Sequence, residues 1–169
     1  MSTATGMPIR LPDANGLSGA ISGLLGVSAF VTKAQAPMLF TVANRRAYAA
    51  LYATAEGFCS AVVACDLKLA SSAAGAIVEY PKEIVDGWIK AGRMDDEGVE
   101  NLREVLNVLA SNFNDSNPER HIKLWGTLEP GKGVPKRTVP LFAKGVLRAD
   151  FDVEVDGYHK GKLVIFSAP

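Results

Sequence analysis

Between Met94 and Asn114 apolar residues return at intervals of three and four. At ~100° per residue, Val99, Leu102, Leu106, Leu109, Ala110 and Phe113 fall on one arc of a helix. Glu100, Glu104, Asn107 and Ser111 fall on the opposite arc. A strand would send neighbouring residues to opposite faces and scatter this pattern. The segment is therefore an amphipathic helix, buried along one side. Asp95 and Asp96 stand at its start, where acidic groups suit the positive end of the helix dipole.

The rest of the chain supplies the surface that this helix needs. Asp13 or Asn15 can cap a short helix with Leu17, Ile21, Leu24 and Leu25 on one face, and Gly26 ends it. Arg46–Thr54 and Phe58–Cys65 read as strands joined by a tight turn at Glu56-Gly57, a β-hairpin. Asp66 caps a helix over Leu67–Val78, which Pro81 stops. Pro81 also suits the first turn of a helix over Lys82–Ala91, closed by Gly92. Asn114–Arg120 is a polar loop containing Asn117-Pro118. His121–Trp125 is a short strand, and Gly126–Val139 a flexible loop. Leu147, Ala149, Phe151, Val153 and Val155 alternate with charged residues, the period of a strand with one buried face. Asp156-Gly157 turns the chain into a last strand over Lys162–Phe166. The order implies an α+β fold, an antiparallel sheet with helices packed on it. Residues 1–12 read as a flexible lead-in and 13–169 as a single domain.

Composition narrows the function. Eighteen basic residues balance eighteen acidic ones. Nucleic-acid binding draws on an excess of Lys and Arg that this chain lacks. Lys132, Lys136 and Arg137 read as a solvated loop. Cys59 and Cys65 are ~20 Å apart along one strand, too far for a disulfide, and fit a reducing, cytoplasmic setting. Leu17–Val31 resembles a leader segment in hydropathy, but it has only Arg10 before it and is rich in Gly and Ser. It is also too short to cross a bilayer. His121 and His159 stand alone without metal-ligand spacing, and no nucleophile elbow or phosphate-binding glycine loop occurs. Trp88 and Trp125 read as core or rim aromatics.

On spacing alone, Glu104 and Asn107 are neighbours on an exposed helix face. Most such faces only meet solvent. The run Glu104-Val105-Leu106-Asn107, with the small residues Ala110 and Ser111 after it, resembles the Glu-x-x-Asn signature of the CheC/CheX-like chemotaxis phosphatases. The order of elements around it resembles that family as well. Asp13–Gly26 contains no glutamate, so the resemblance implies one site, as in CheX-like members.

The resemblance implies hydrolysis of the phosphoaspartate of a CheY-like response regulator. Asn107 would orient the attacking water, and Glu104 would pair with a lysine of the receiver domain. The chain would carry no cofactor of its own, with Mg²⁺ supplied by the regulator. A homodimer is implied too. Arg103 sits beside Glu104, where it can compete for the carboxylate. A second reading keeps the fold without the chemistry, as a CheC-like interaction or dimerisation domain.

Overall fold

A computed structural model describes residues 10–41, 43, 46–138 and 147–167, and these form four α-helices and six strands. Helix α1 spans Ala14–Leu25 and strand β1 Ala29–Lys33. The hairpin follows as β2, Tyr48–Ala53, and β3, Cys59–Cys65. Helices α2 (Leu67–Ala76), α3 (Lys82–Ala91) and α4 (Asp96–Ser116) come next. Strands β4 (Lys123–Leu128), β5 (Leu147–Val155) and β6 (Lys160–Ser167) complete the chain.

All six strands join one sheet in the order β1-β5-β6-β3-β2-β4, every pair antiparallel. The two hairpins, β2–β3 and β5–β6, meet where Val63 of β3 pairs with Ile165 of β6. The α+β expectation holds, with the helices on one face. There, Leu17 and Ile21 of α1 and Leu102, Leu106 and Phe113 of α4 pack with Val63, Val153 and Ile165. On the other face, Met38 and Phe40 pack on Leu51, Val62, Val164 and Phe166. Both faces of β2 and β3 are thus covered, which is why those strands read as continuous apolar runs.

Several elements differ from their expected bounds: β2 and α2 are shorter, at Tyr48–Ala53 and Leu67–Ala76, and β6 is longer, at Lys160–Ser167. Strand β1 was not expected at all. Gly26 stands in the left-handed region at φ 69° and divides the apolar stretch 17–31 into a helix and a strand. Strand β4 begins two residues late and runs on to Leu128, where it still pairs with Ala49 of β2 across a register shift between Leu51 and Tyr52. Helix α4 starts at Asp96 rather than Met94, after its Asp95 cap, and continues past Asn114 to Ser116. Leu147, expected on the buried side of β5, is 42% exposed at the strand's open end. Of the expected lead-in, Arg10 exchanges hydrogen bonds with the Asn117 side chain and Pro12 is buried. Residues 1–9 lie outside the described residues, as do Val139 of the expected loop and Val146.

The sheet edge at β1 is closed by α1. Ser18 Oγ accepts from Val31 N at 2.9 Å, and Ser22 Oγ accepts from Ala29 N at 2.8 Å. These amides face away from β5, which bonds through the alternate residues. Gly161 of β6 lies so close to α2 that a Cβ there would stand 2.5 Å from Leu69 N. The sheet and α2 therefore touch backbone to backbone at this point.

Candidate functional site on helix α4

Helix α4 is fixed from its start. The Asp95 carboxylate accepts from Gly98 N at 2.8 Å, and Asp96 and Glu97 occupy the first turn. Strand β2 then grips it with two tyrosines four residues apart. Tyr48 Oη accepts from Met94 N at 2.9 Å, and Tyr52 Oη donates to Leu106 O at 2.6 Å. Burial pushes the Tyr52 hydroxyl far above its ordinary value, so it stays a donor. The Tyr52 and Phe113 rings pack with centroids 5.5 Å apart. At the far end, Asn117 Nδ2 donates to Phe113 O, and the Asn114 side chain pairs with both backbone groups of Ile122. Tyr48, Tyr52 and Asn114 were not anticipated as clamps, since a residue's type does not reveal its distant partner.

The outward face carries the expected pair. Glu104 and Asn107 are both exposed, while Val105 and Leu106 between them are buried. Neither side chain makes a hydrogen bond or ion pair among the described residues, and Arg103 forms none with Glu104. Adjacent helix residues point ~100° apart, which explains why Arg103 does not close on the carboxylate. A free carboxylate and a free carboxamide thus stand side by side on a rigid helix, able to pair with a cation and to hold a water.

A groove of about 470 Å³ opens beside this face, between α1 and the second half of α4. Gly19, Ala20, Gly23 and Leu24 form one wall, and Val108, Ser111, Asn112 and Asp115 belong to the other. Sequence reasoning missed these residues, although Glu104, Val108, Ser111 and Asp115 are spaced 4, 3 and 4 apart, which is one line along a helix.

Of the other reactive groups, one histidine is paired, one stands on the surface, and both cysteines are shielded. His159 pairs with Asp86 at the sheet's turn end, and His121 precedes β4 on the surface. Burial pushes the Cys59 thiol up to about 11 and Cys65 higher still, so neither is a ready nucleophile. Both are free thiols. Among the described residues, no group of three or more His, Cys, Asp or Glu gathers as a metal site, and no helix is long and apolar enough to cross a membrane. Trp125 lies at the rim, 43% exposed, with the Arg137 guanidinium 4.8 Å from its ring centroid.

No family model and no curated protein matches the sequence. Solved structures do. The FliM middle domain from H. pylori superposes with a TM-score of 0.65 at 9% identity, covering 91% of this chain and 84% of that one. The complex of CheX with CheY, BeF3 and Mg from Borrelia burgdorferi gives 0.51 at 13%, covering 92% and 94%. A CheC-like superfamily protein from Shewanella sp. PV-4 gives 0.51 at 10%, covering 92% and 94%. The chain has the CheC/CheX-like fold. At these identities the likeness concerns the backbone, and FliM shares it with CheX. What a CheC/CheX-like chain does therefore depends on its own exposed side chains.

Proposed function

We propose that this chain is a CheX-like phosphatase domain that hydrolyses the phosphoaspartate of a response regulator's receiver domain. The observation that supports it is the unengaged Glu104–Asn107 pair on the solvent face of α4. In this reading Asn107 holds a water in line with the phosphorus. The water oxygen bonds to phosphorus, the bond from phosphorus to the acyl oxygen breaks, and the products are inorganic phosphate and a free aspartate. Phosphoryl transfer depends chiefly on positioning and on charge stabilisation, so a non-titrating amide suffices. Glu104 pairs with a lysine of the receiver domain and sets the register of docking. Mg²⁺ belongs to the receiver's acidic pocket, and the chain brings no cofactor. The reading places the chain in the cytoplasm. The homodimer is part of the same proposal, with β4 as the sheet edge that α1 does not close.

A second reading, interaction without hydrolysis, is favoured by the similarity to the FliG-FliM complex from H. pylori, whose TM-score of 0.63 exceeds the 0.51 of the CheX complex. One experiment separates the two. Purified protein is added to phosphorylated receiver domains from the same organism, and phosphate release is followed. The proposal expects faster decay for at least one regulator. Asn107→Ala should slow that decay about a hundredfold, the scale of losing a positioning group, while binding persists. Binding with an unchanged phosphoaspartate lifetime would establish the interaction reading instead.

A further inference from the structure

The groove between α1 and α4 has a chemistry of its own. Its lining residues include one charged group, the Asp115 carboxylate. Asn112 lines it as well, and its Oδ1 is buried with no hydrogen-bond partner. A buried acceptor left unpaired is costly unless a donor arrives. The walls are mixed: Leu24, Val108 and Leu109 are apolar, Gly19 and Gly23 are bare, and Ser111 is polar, its hydroxyl donating to Val108 O. Val108 is 38% exposed, and a Cβ added at Gly19 or Gly23 would meet nothing within 4 Å. A groove with an aliphatic flank at Leu24 and Val108 and acceptors at Asn112 and Asp115 fits a long side chain with an aliphatic stem and a cationic head.

The groove also adjoins the proposed catalytic pair. Glu104, Val108, Ser111 and Asp115 form one row over eleven residues, about 16 Å along the axis. On the helical wheel Asn107 flanks this row on one side by about 60°, and Asn112 flanks it on the other by about 80°. A protein lying across this row with its phosphoaspartate at Asn107 would reach the groove on the row's far flank by passing over Glu104 and Val108. We infer that the α1–α4 groove is a second docking point for the receiver domain, taking a lysine or arginine side chain whose stem lies on Val108 and whose head reaches Asn112 and Asp115. This rests on the phosphatase reading, in which Glu104 already takes one cation. The partner surface would then present two basic residues about 16 Å apart. Two separated ion pairs fix orientation as one cannot.

The test uses the full chain and a receiver domain that it dephosphorylates, with beryllofluoride holding the receiver in its activated form. Gly23→Leu fills the groove, and Asp115→Lys reverses its charge. Each should raise Kd about tenfold or more, since a like charge brought to an interface costs affinity. In turnover the loss should fall on KM, whereas the Asn107→Ala loss falls on kcat. Asp115→Lys should also remove part of the salt dependence of binding. Melting temperatures check the fold, and if Gly23→Leu unfolds, Asp115→Lys alone decides. Affinity within twofold of the parent for Asp115→Lys, with hydrolysis still dependent on Asn107, overturns the groove and leaves the phosphatase reading intact. Failure of every receiver domain to bind or be hydrolysed overturns that reading and the groove with it.

Discussion

Tyr52 shows how a single side chain sets the site without belonging to it. It is fully buried in β2, and its hydroxyl reaches the carbonyl of Leu106, the residue before Asn107. The helix is thereby held at the turn that presents the pair. Tyr52→Phe keeps the ring against Phe113 and removes only this bond. The Leu106 carbonyl retains its helical partner, so the cost should be about 1 kcal/mol, the usual net worth of one hydrogen bond. Urea unfolding of the two proteins measures it, and equal stability would mean that the hydroxyl does not hold the helix. Glu104 and Asn107 could be read from the sequence because a helical period fixes which way each residue points. Tyr52 could not, because a buried tyrosine in a strand says nothing about which carbonyl it will meet.

At the scale of elements, the long-period signals were the legible ones. Helix α4 and the hairpin β2–β3 stood out because many residues agree on one period. Strand β1 was hidden because its five residues follow α1 after a three-residue break, and the hydropathy runs through both. The groove was hidden for another reason. It exists only where two helices distant in sequence come together, and glycines in a helix read merely as weakness. Helix α1 is indeed weakened by them. Gly19 and Gly23 are exposed, and a Cβ at either meets no atom within 4 Å. Gly19→Ala and Gly23→Ala should therefore each stabilise the protein by about 0.8–1 kcal/mol, through helix propensity alone. Scanning calorimetry should show a rise of about 2–4 °C for each. No rise would mean that α1 gains nothing from a less flexible backbone.

Across the whole molecule, an antiparallel sheet of six strands leaves two edges, β1 and β4. An open edge invites pairing with a further chain. The two edges are treated differently. At β1 the outward amides of Ala29 and Val31 are taken by Ser22 and Ser18, one helical turn apart on α1. Ser22 also donates to the Ala29 carbonyl at 3.1 Å. This arrangement uses serines, poor helix formers, on the face of α1 toward the sheet, where their hydroxyls imitate a seventh strand. Ser22→Ala removes both of those bonds and leaves the Ala29 amide and carbonyl without them. A loss of about 1–3 kcal/mol is expected in urea unfolding, the range for a part-buried backbone group left unpaired. The same change reopens β1 as a pairing edge, so light scattering at rising concentration should show association beyond that of the parent chain. Ser18→Ala should act in the same direction through Val31 and, with one bond at stake, by less. If both variants match the parent in stability and in scattering, water replaces the serines without penalty, and α1 is not what keeps this edge closed.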